Sequence, residues 1–163
     1  MPKKYINIII IALILLGAFY LYNKYRVAPT IDFNKLSLVD LQGNPFDFNS
    51  LKGQKTIVSM GASWCPNCIN ELNAIKKIKD TELNDVVVVV IDDEPLEKVN
   101  AFKERKNYPF LFLKLNASFA DIGIHSIPVN YVFNKDLVLK KHQVGEIHWD
   151  DPSTLAHYKT LME

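Results

Sequence analysis

The chain has 163 residues, a net charge of +1 and two cysteines. A charge so close to balance excludes the basic surface that nucleic-acid binding requires, so no nucleic-acid partner is expected. Apolar residues make up 48% of the chain, which is enough for one core, and the length favours a single folded domain.

An apolar segment lies near the start of the chain. Residues 5–22 read YINIIIIALILLGAFYLY, in which Asn7 is the only strongly polar residue. As a helix, this segment spans roughly 27 Å, close to the thickness of bilayer hydrocarbon. Tyrosines stand near both ends, where aromatic side chains meet the lipid headgroups. We predict an N-terminal membrane anchor over residues 1–26 that contacts the lipid bilayer through residues 5–22.

Two alternatives stay open for this segment. A cleaved signal peptide needs small residues soon after the apolar run, and residues 20–26 offer none, while Val27-Ala28 is a poor late site. A core helix of a soluble domain has a polar face, which this segment lacks. Basic residues flank both ends and leave the orientation open. The logic of an N-terminal signal anchor favours a single-pass protein of the cytoplasmic (inner) membrane, with its domain on the extracytoplasmic, periplasmic side.

After the anchor, residues 27–34 are predicted to form a tether and residues 35–163 one domain. In chain order we predict a β-hairpin over 35–48, a strand over 55–60, a helix over 66–79, a strand over 85–91, a helix over 94–106, a short strand over 109–113, paired strands over 129–133 and 137–144, and a final helix over 154–162. The valine run 86–90 indicates a strand buried on both faces. This order indicates an α/β fold with a mixed central sheet flanked by helices.

The two cysteines, Cys65 and Cys68, stand three positions apart, after the strand over 55–60 and at the start of a predicted helix. This end of a strand is where open α/β sheets place their sites. The helix N-terminus favours a thiolate at Cys65, which we expect to attack. Cys68, one turn further in, is expected to be more buried and to resolve the mixed disulfide. The pair is predicted to be a redox-active disulfide.

Other interpretations of the pair stay open. A zinc half-site needs two further ligands, and none of the four histidines is paired at ligand spacing, so no metal and no other cofactor is expected. A purely structural disulfide here closes a loop too short to stabilise the fold by much. Chance proximity of the two cysteines is a third interpretation.

The segment Gly-Ala-Ser-Trp-Cys-Pro-Asn-Cys, residues 61–68, resembles the active site of thioredoxin-fold proteins. More narrowly, it resembles the membrane-tethered, extracytoplasmic thiol–disulfide oxidoreductases of the TlpA-like, cytochrome-c-maturation type. Residues 51–55 are similar to the start of that family's domain, and residues 92–119 stand where it carries an insertion. His125-Ser126-Ile127-Pro128 is similar to its proline loop. The resemblance covers residues 34–145.

This resemblance implies a thioredoxin-like fold and a protein-disulfide reductase. The expected partners are protein substrates with disulfides or thiols, apocytochrome c among the candidates, and a membrane electron donor. Two alternatives stay open. One is a dithiol oxidase or isomerase, and the other is a redox-responsive binding module without turnover.

The resemblance also assigns a substrate-binding surface at Trp64, Pro66, Ile127 and Pro128. It implies a cis peptide bond before Pro128, facing the dithiol, with the backbone of Ile127 offered to a partner peptide. From the residues alone, Pro128 is a proline at the start of a strand. Trp64 is expected to shield the disulfide and line the partner surface, with a simple packing role as the alternative.

Glu71 is the third catalytic candidate beside the cysteines. It follows Cys68 by three positions, where the family often has a glutamate, and a carboxylate there can exchange protons with the thiols. An ordinary solvated glutamate is the alternative. The sequence departs from the family because Ser59 stands where thioredoxins carry a buried acid, so Glu71 has to serve alone. Leu72-Asn73 stands where a proline is common, and Val129-Asn130 where a threonine is common.

Overall fold

The computed structural model describes residues 3–163, with the backbone alone at positions 3 and 6. The helices are α1 (Lys3–Arg26), α2 (Pro66–Ile78), α3 (Leu96–Lys106) and α4 (Pro152–Leu161). The strands are β1 (Leu38–Val39), β2 (Lys55–Met60), β3 (Val86–Asp92), β4 (Leu111–Leu115), β5 (Val129–Phe133) and β6 (Leu139–Val144). Residues 1 and 2 of the predicted anchor lie outside the described residues.

The six strands form one mixed sheet in the order β1-β4-β3-β2-β5-β6. Strands β4, β3 and β2 are parallel, whereas β1, β5 and β6 join the sheet antiparallel to their neighbours. Parallel neighbours need crossover connections, which α2 and α3 supply. The predicted mixed sheet flanked by helices is therefore confirmed.

Strand β3 lies at the centre of the core. Val88 and Val90 pack on the face that α2, α3 and α4 cover, whereas Val89 and Ile91 pack on the opposite face. Because side chains alternate across a strand, a valine run with no polar position fills both faces. The predicted burial of this strand on both sides is confirmed, and the sheet's carboxyl end is held rigidly beneath α2.

The predicted hairpin over 35–48 is present only as a short turn, in which the N–H groups of Asp40 and Phe46 donate to the carbonyl oxygens of Asn44 and Leu38, both at 2.9 Å. Strand β1 has two residues and pairs with β4, and only an isolated bridge joins Val39 to Pro45. Asp40 explains the local structure, because its carboxylate accepts the backbone N–H groups of Gln42 and Asn44, both at 2.9 Å. Pro45 has no N–H to extend a ladder. The segment therefore turns without forming a second strand.

The segment over 27–34 packs against the domain. Ala28 and Phe33 are buried, and the Tyr131 hydroxyl donates to the carbonyl oxygen of Pro29 at 2.8 Å. Phe33 stacks on Phe48 with ring centroids 4.8 Å apart. A segment held by these contacts is part of the folded unit. The boundaries of anchor, tether and domain stay predictions.

Helix α1 is long and apolar enough to cross a membrane by length and composition. The span Asn7–Arg26 has 20 residues and a mean hydropathy of 1.8, and none of it is buried against the domain. A core helix would be covered by other elements, so the alternative of a soluble core helix is not supported.

The end of the chain completes the core. Asp151 caps helix α4 by accepting the N–H of Thr154 at 2.7 Å, and Pro152 occupies the first turn. Trp149 is fully buried and lies 4.9 Å from Tyr158, ring centroid to centroid. Trp149 is therefore a packing residue of the core, whereas His148 and His157 are exposed.

Candidate active site

The dithiol lies at the N-terminus of helix α2, on the carboxyl edge of the parallel strands. Cys65 is the N-cap residue, and its sulfur accepts the backbone N–H of Cys68 at 3.2 Å. Pro66 occupies the first turn, where the missing N–H removes no helical bond. Cys65 and Cys68 are joined in a disulfide, with their Cα atoms 5.3 Å apart. The helix therefore directs its free N–H groups and its positive dipole end at the Cys65 sulfur.

The two cysteines differ only slightly in the exposed fraction of their surface. Cys65 is 5% exposed and Cys68 is 2% exposed. Cys68 is the more buried residue, as predicted, and Cys65 is also buried in the disulfide form. The difference between the two sulfurs is one of environment, since Cys65 caps the helix while Cys68 packs beneath it.

Gly61 provides the space for the Cys68 sulfur. A Cβ atom at this position would lie 2.9 Å from Cys68 Sγ and 3.1 Å from Cys68 Cβ. The contact with Sγ is shorter than real Cβ atoms make and the contact with Cβ is tighter than most, so a side chain at this position requires α2 to shift. Strand β2 therefore ends in a residue without a side chain because the disulfide lies directly on it.

Replacing Gly61 with alanine is expected to displace the start of α2. The fold should lose about 1–3 kcal/mol of unfolding free energy, the range for added methyl groups in packed sites, and disulfide exchange with glutathione should change. Gly17→Ala is the control, because nothing lies within 4 Å of its added methyl group. Urea unfolding and glutathione equilibration measure both effects. Wild-type stability and exchange in Gly61→Ala would show that α2 shifts at no cost.

Glu71 is buried at 0% exposure beneath the dithiol. One carboxylate oxygen accepts the Ser59 hydroxyl at 3.0 Å. The other accepts the Asn130 side-chain amide and the Ile147 backbone N–H, both at 2.8 Å. Burial raises the pKa of Glu71 to about 7, with a smaller contribution from the charge of Glu146, while the three hydrogen bonds oppose the rise. The alternative of a solvated glutamate is therefore wrong.

Two residues at which the sequence departs from the family pattern, Ser59 and Asn130, donate hydrogen bonds to this carboxylate. Ser59 and Asn130 are paired across strands β2 and β5, so both side chains lie on the face that α2 covers. Sequence reasoning treated them as replacements for a missing acid and a missing threonine. They are instead donors to Glu71, and the sequence carries no signal for this because the three residues are 12 and 59 positions apart.

The proline loop lies beside the dithiol. The Ile127–Pro128 bond is cis, as the resemblance implied. Met60 pairs with Val129, so the next positions, Gly61 and Pro128, are neighbours across β2 and β5. Pro128 is therefore one strand away from the glycine on which the Cys68 sulfur packs.

Trp64 is 69% exposed, so the alternative of a simple packing role is wrong. It lines a groove of about 360 Å³ together with Phe119, Ile124, His125 and Ile127. Pro66 is exposed outside that groove. Of the four residues assigned to substrate binding, Trp64 and Ile127 line the groove, Pro128 is buried next to it, and Pro66 lies on the helix end.

An acid that sequence reasoning did not single out holds the active-site loop. Glu94 Oε2 accepts the backbone N–H of Ser63, two residues before Cys65, at 2.8 Å. Asp92 Oδ1 in turn accepts the N–H of Glu94 at 2.8 Å. The run Asp92-Asp93-Glu94 directly after the valine strand is a signal for this role, because carboxyl ends of parallel strands meet at one edge.

Comparison with known proteins places these features in a family. The family model described as Redoxin matches residues 26–160. The thioredoxin-like protein YneN of Bacillus subtilis is 28% identical over 115 residues, 67% of this chain and 67% of the relative. The sporulation thiol-disulfide oxidoreductase A of the same organism is 28% identical over 101 residues, 58% of this chain and 61% of the relative. The crystal structure of StoA from Bacillus subtilis superposes with a TM-score of 0.57 at 20% identity, covering 80% of this chain and 99% of that chain.

Proposed function

The chain belongs to the Redoxin family and is a thiol–disulfide oxidoreductase with the pair Cys65–Cys68, and from this premise we propose that it reduces disulfides in protein clients outside the cytoplasm. The observation that carries the proposal is the position of Cys65 as N-cap of α2, because a helix N-terminus stabilises the attacking thiolate. The exposed groove beside it gives a client chain access.

The reaction has two exchange steps. In the reduced enzyme, the Cys65 thiolate attacks a sulfur of the client disulfide, and the client's other sulfur leaves as a thiolate. Cys68 then attacks the Cys65 sulfur, which closes the enzyme disulfide and releases the second client thiol. Two electrons pass from the enzyme to the client, and the oxidised enzyme is regenerated by a membrane electron donor.

The remaining site residues act on this exchange. Trp64, Ile127 and Pro128 form the wall against which the client strand lies, and the Ile127 backbone pairs with it, while Pro66 contacts the client from the helix end. Glu71, buried one helical turn after Cys68, sets the acidity of the dithiol by exchanging a proton with it.

Helix α1 anchors the domain to the cytoplasmic membrane, with residues 5–22 in contact with lipid. Its length and mean hydropathy support this, and so does the oxidising chemistry of extracytoplasmic compartments, where cysteine pairs of this kind work. In this proposal residues 1–26 are the anchor, residues 27–34 join it to the domain, and residues 35–163 carry the site. The client is a cysteine pair in a secreted protein, such as that of apocytochrome c.

Insulin reduction by the detergent-solubilised full chain tests the activity. We expect the wild-type chain to reduce insulin with dithiothreitol as donor, and a Cys65→Ser/Cys68→Ser chain to give only the background rate. Equilibration with glutathione tests the direction, and we expect a reduction potential near the roughly −270 mV of thioredoxin. A potential near the roughly −120 mV of a strong oxidant would instead establish a dithiol oxidase or isomerase. Disulfide formation without turnover would establish a binding module.

A protease-protection experiment tests the location. In spheroplasts the domain should be digested by added protease, because the proposal places it outside the cytoplasm. Digestion only after lysis would reverse the orientation. A mature chain that begins near residue 28 would establish a cleaved signal peptide.

A further inference from the structure

A second buried acid lies at the dithiol, and its chemistry is unassigned. Asp92, the last residue of β3, is 1% exposed. Its Oδ1 accepts the N–H of Glu94. Within the part of the chain that the structure describes, Oδ2 is buried and has no hydrogen-bond partner. Buried carboxylate oxygens are normally paired, so an unpaired one calls for an explanation.

The register of the sheet places Asp92 beside the Cys68 sulfur. Met60 pairs with Ile91 in parallel strands, and the Gly61 N–H donates to the Ile91 carbonyl oxygen at 3.0 Å. Gly61 and Asp92 are therefore the next neighbours, and neighbouring positions point to the same face. A Cβ on Gly61 would lie 2.9 Å from Cys68 Sγ. The Asp92 side chain thus begins one strand spacing, about 4.8 Å, from the position against which this sulfur packs.

The two buried acids differ in what their oxygens are free to accept. The two oxygens of Glu71 accept three donors, which leaves about one of the four lone-pair sites of the carboxylate free. Asp92 Oδ2 accepts none. A general base needs an unoccupied lone pair within reach of the proton that it removes. Of the two acids, Asp92 has the oxygen that accepts no donor, and the register of the sheet places it on the face where Cys68 lies.

Burial and the surrounding charges place the pKa of Asp92 near neutral pH. Burial raises the pKa of Asp92 to about 7, and the neighbouring carboxylates of Glu94 and Asp93 add to the rise. The nearest cations are engaged elsewhere. Lys114 occupies the paired position of β4, but its ammonium group donates to the Leu115 carbonyl oxygen and to Asn116. Lys98 is paired with Glu94 at 3.6 Å. From α2, Cys68 packs against Gly61, the neighbour of Asp92 at the end of β2, and Glu71 follows Cys68 by one turn.

We propose that Asp92 is the general base of the resolving step, an inference that rests on the proposed disulfide exchange. With the client held on Cys65, Asp92 Oδ2 takes the proton from the Cys68 thiol. The resulting thiolate attacks Cys65 Sγ, the bond between Cys65 and the client sulfur breaks, and the Cys65–Cys68 bond forms. The client sulfur leaves with the bonding electron pair and takes up the proton that Asp92 holds.

A two-phase reaction of the reduced, detergent-solubilised full chain tests this role. A large excess of an aromatic disulfide that releases coloured nitrothiobenzoate reports one release when Cys65 attacks and a second when Cys68 resolves. Asp92→Asn should slow the second phase on the order of 10²-fold near neutral pH, the usual contribution of a general base. The first phase should stay within about twofold, since it does not need this base.

The pH profile separates a base from a structural residue. In the wild-type chain the second-phase rate should rise as Asp92 ionises around its pKa of about 7 and then level off. In Asp92→Asn it should instead follow hydroxide concentration. Glu97→Gln is the matched control, because it removes one carboxylate charge from an exposed position of α3, the helix that follows Asp92 in the chain. It should keep the wild-type second phase.

An unchanged second phase in Asp92→Asn would overturn the proposal, as would equal slowing of both phases or the same slowing in Glu97→Gln. Wild-type circular dichroism is required of each variant, and Asp92→Glu serves as a second variant that keeps the carboxylate and should retain the sigmoidal pH profile. A wild-type chain that never releases the second equivalent would refute the proposed exchange itself, a result distinct from failure of the Asp92 role.

Discussion

Replacing Cys68 with serine is expected to convert the enzyme into a trap for its clients, whereas replacing Cys65 should trap nothing. Cys65 caps α2 and is expected to attack first, so a chain without Cys68 stops at the mixed disulfide. A chain without Cys65 has only the thiol packed against Gly61. In both variants insulin turnover should fall on the order of 10³-fold or more, because residues that act as a unit fail together.

Non-reducing electrophoresis after acid quenching of cells measures this difference. Cys68→Ser should give client adducts that dithiothreitol cleaves by reducing the mixed disulfide. Mass spectrometry of the released proteins then identifies the clients. The Cys65→Ser/Cys68→Ser chain is the control for association without a covalent bond. Adducts of equal abundance in Cys65→Ser would assign the attack to Cys68 and contradict the proposed division of roles.

Replacing Glu71 with leucine is expected to destabilise the fold by about 3 kcal/mol at about pH 5. The change leaves the Ile147 backbone N–H and one N–H of the Asn130 amide without an acceptor in a buried site, while the amide keeps its bond to the Gly145 carbonyl oxygen at 3.4 Å. Each buried donor that loses its partner costs about 1–3 kcal/mol. The side chain therefore joins α2 to β5 and to the segment after β6, in addition to any role in proton exchange.

Glu71→Gln keeps these contacts and removes the ionisation. Its carbonyl oxygen can accept from Asn130 and Ile147, and its amide can donate to the Ser59 hydroxyl. The pKa of Glu71 is raised from 4.5 to about 7, so the folded state binds the proton more tightly than the unfolded state does. The contribution of Glu71 to the free energy of unfolding is therefore complete below pH 4.5. It decreases as the pH rises to about 7, by about 3 kcal/mol at most. Glu71→Gln should lack this loss.

Urea unfolding of the detergent-solubilised chain at about pH 5 and about pH 8 measures both variants. The fluorescence of Trp149, which is fully buried, reports unfolding in a Trp64→Phe background. Glu71→Gln should match the wild-type chain at the lower pH and exceed its stability at the higher. The raised pKa of Asp92 also lowers the free energy of unfolding as the pH rises. Some pH dependence of stability therefore remains in Glu71→Gln. Glu97→Gln, on an exposed position of α3, is the control. A Glu71→Leu chain as stable as the wild type would contradict the structural role.

Most of the sheet could be predicted from local patterns. Strands β2 and β5 have the predicted bounds, and the other core strands and the helices differ by a few residues at their ends. The hairpin over 35–48 was predicted in full, although only a short turn is present, because alternation of apolar and polar residues does not reveal the partner of a strand. Strand β1 pairs with β4, more than 70 residues away in sequence. The start of β6 was placed two residues early because Leu137 adopts a left-handed backbone (φ 57°).

Local sequence patterns were enough to predict the dithiol, its place between a strand and a helix, and the apolar helix near the start of the chain. Local spacing is sufficient for each of these, because a helix N-terminus, a buried strand and a membrane-spanning length depend on neighbouring residues. Only the tertiary structure decided what surrounds the sulfurs. Glu71 meets Ser59 and Asn130, and Asp92 lies beside Gly61, through the register of neighbouring strands, which long-range packing fixes and no local pattern encodes.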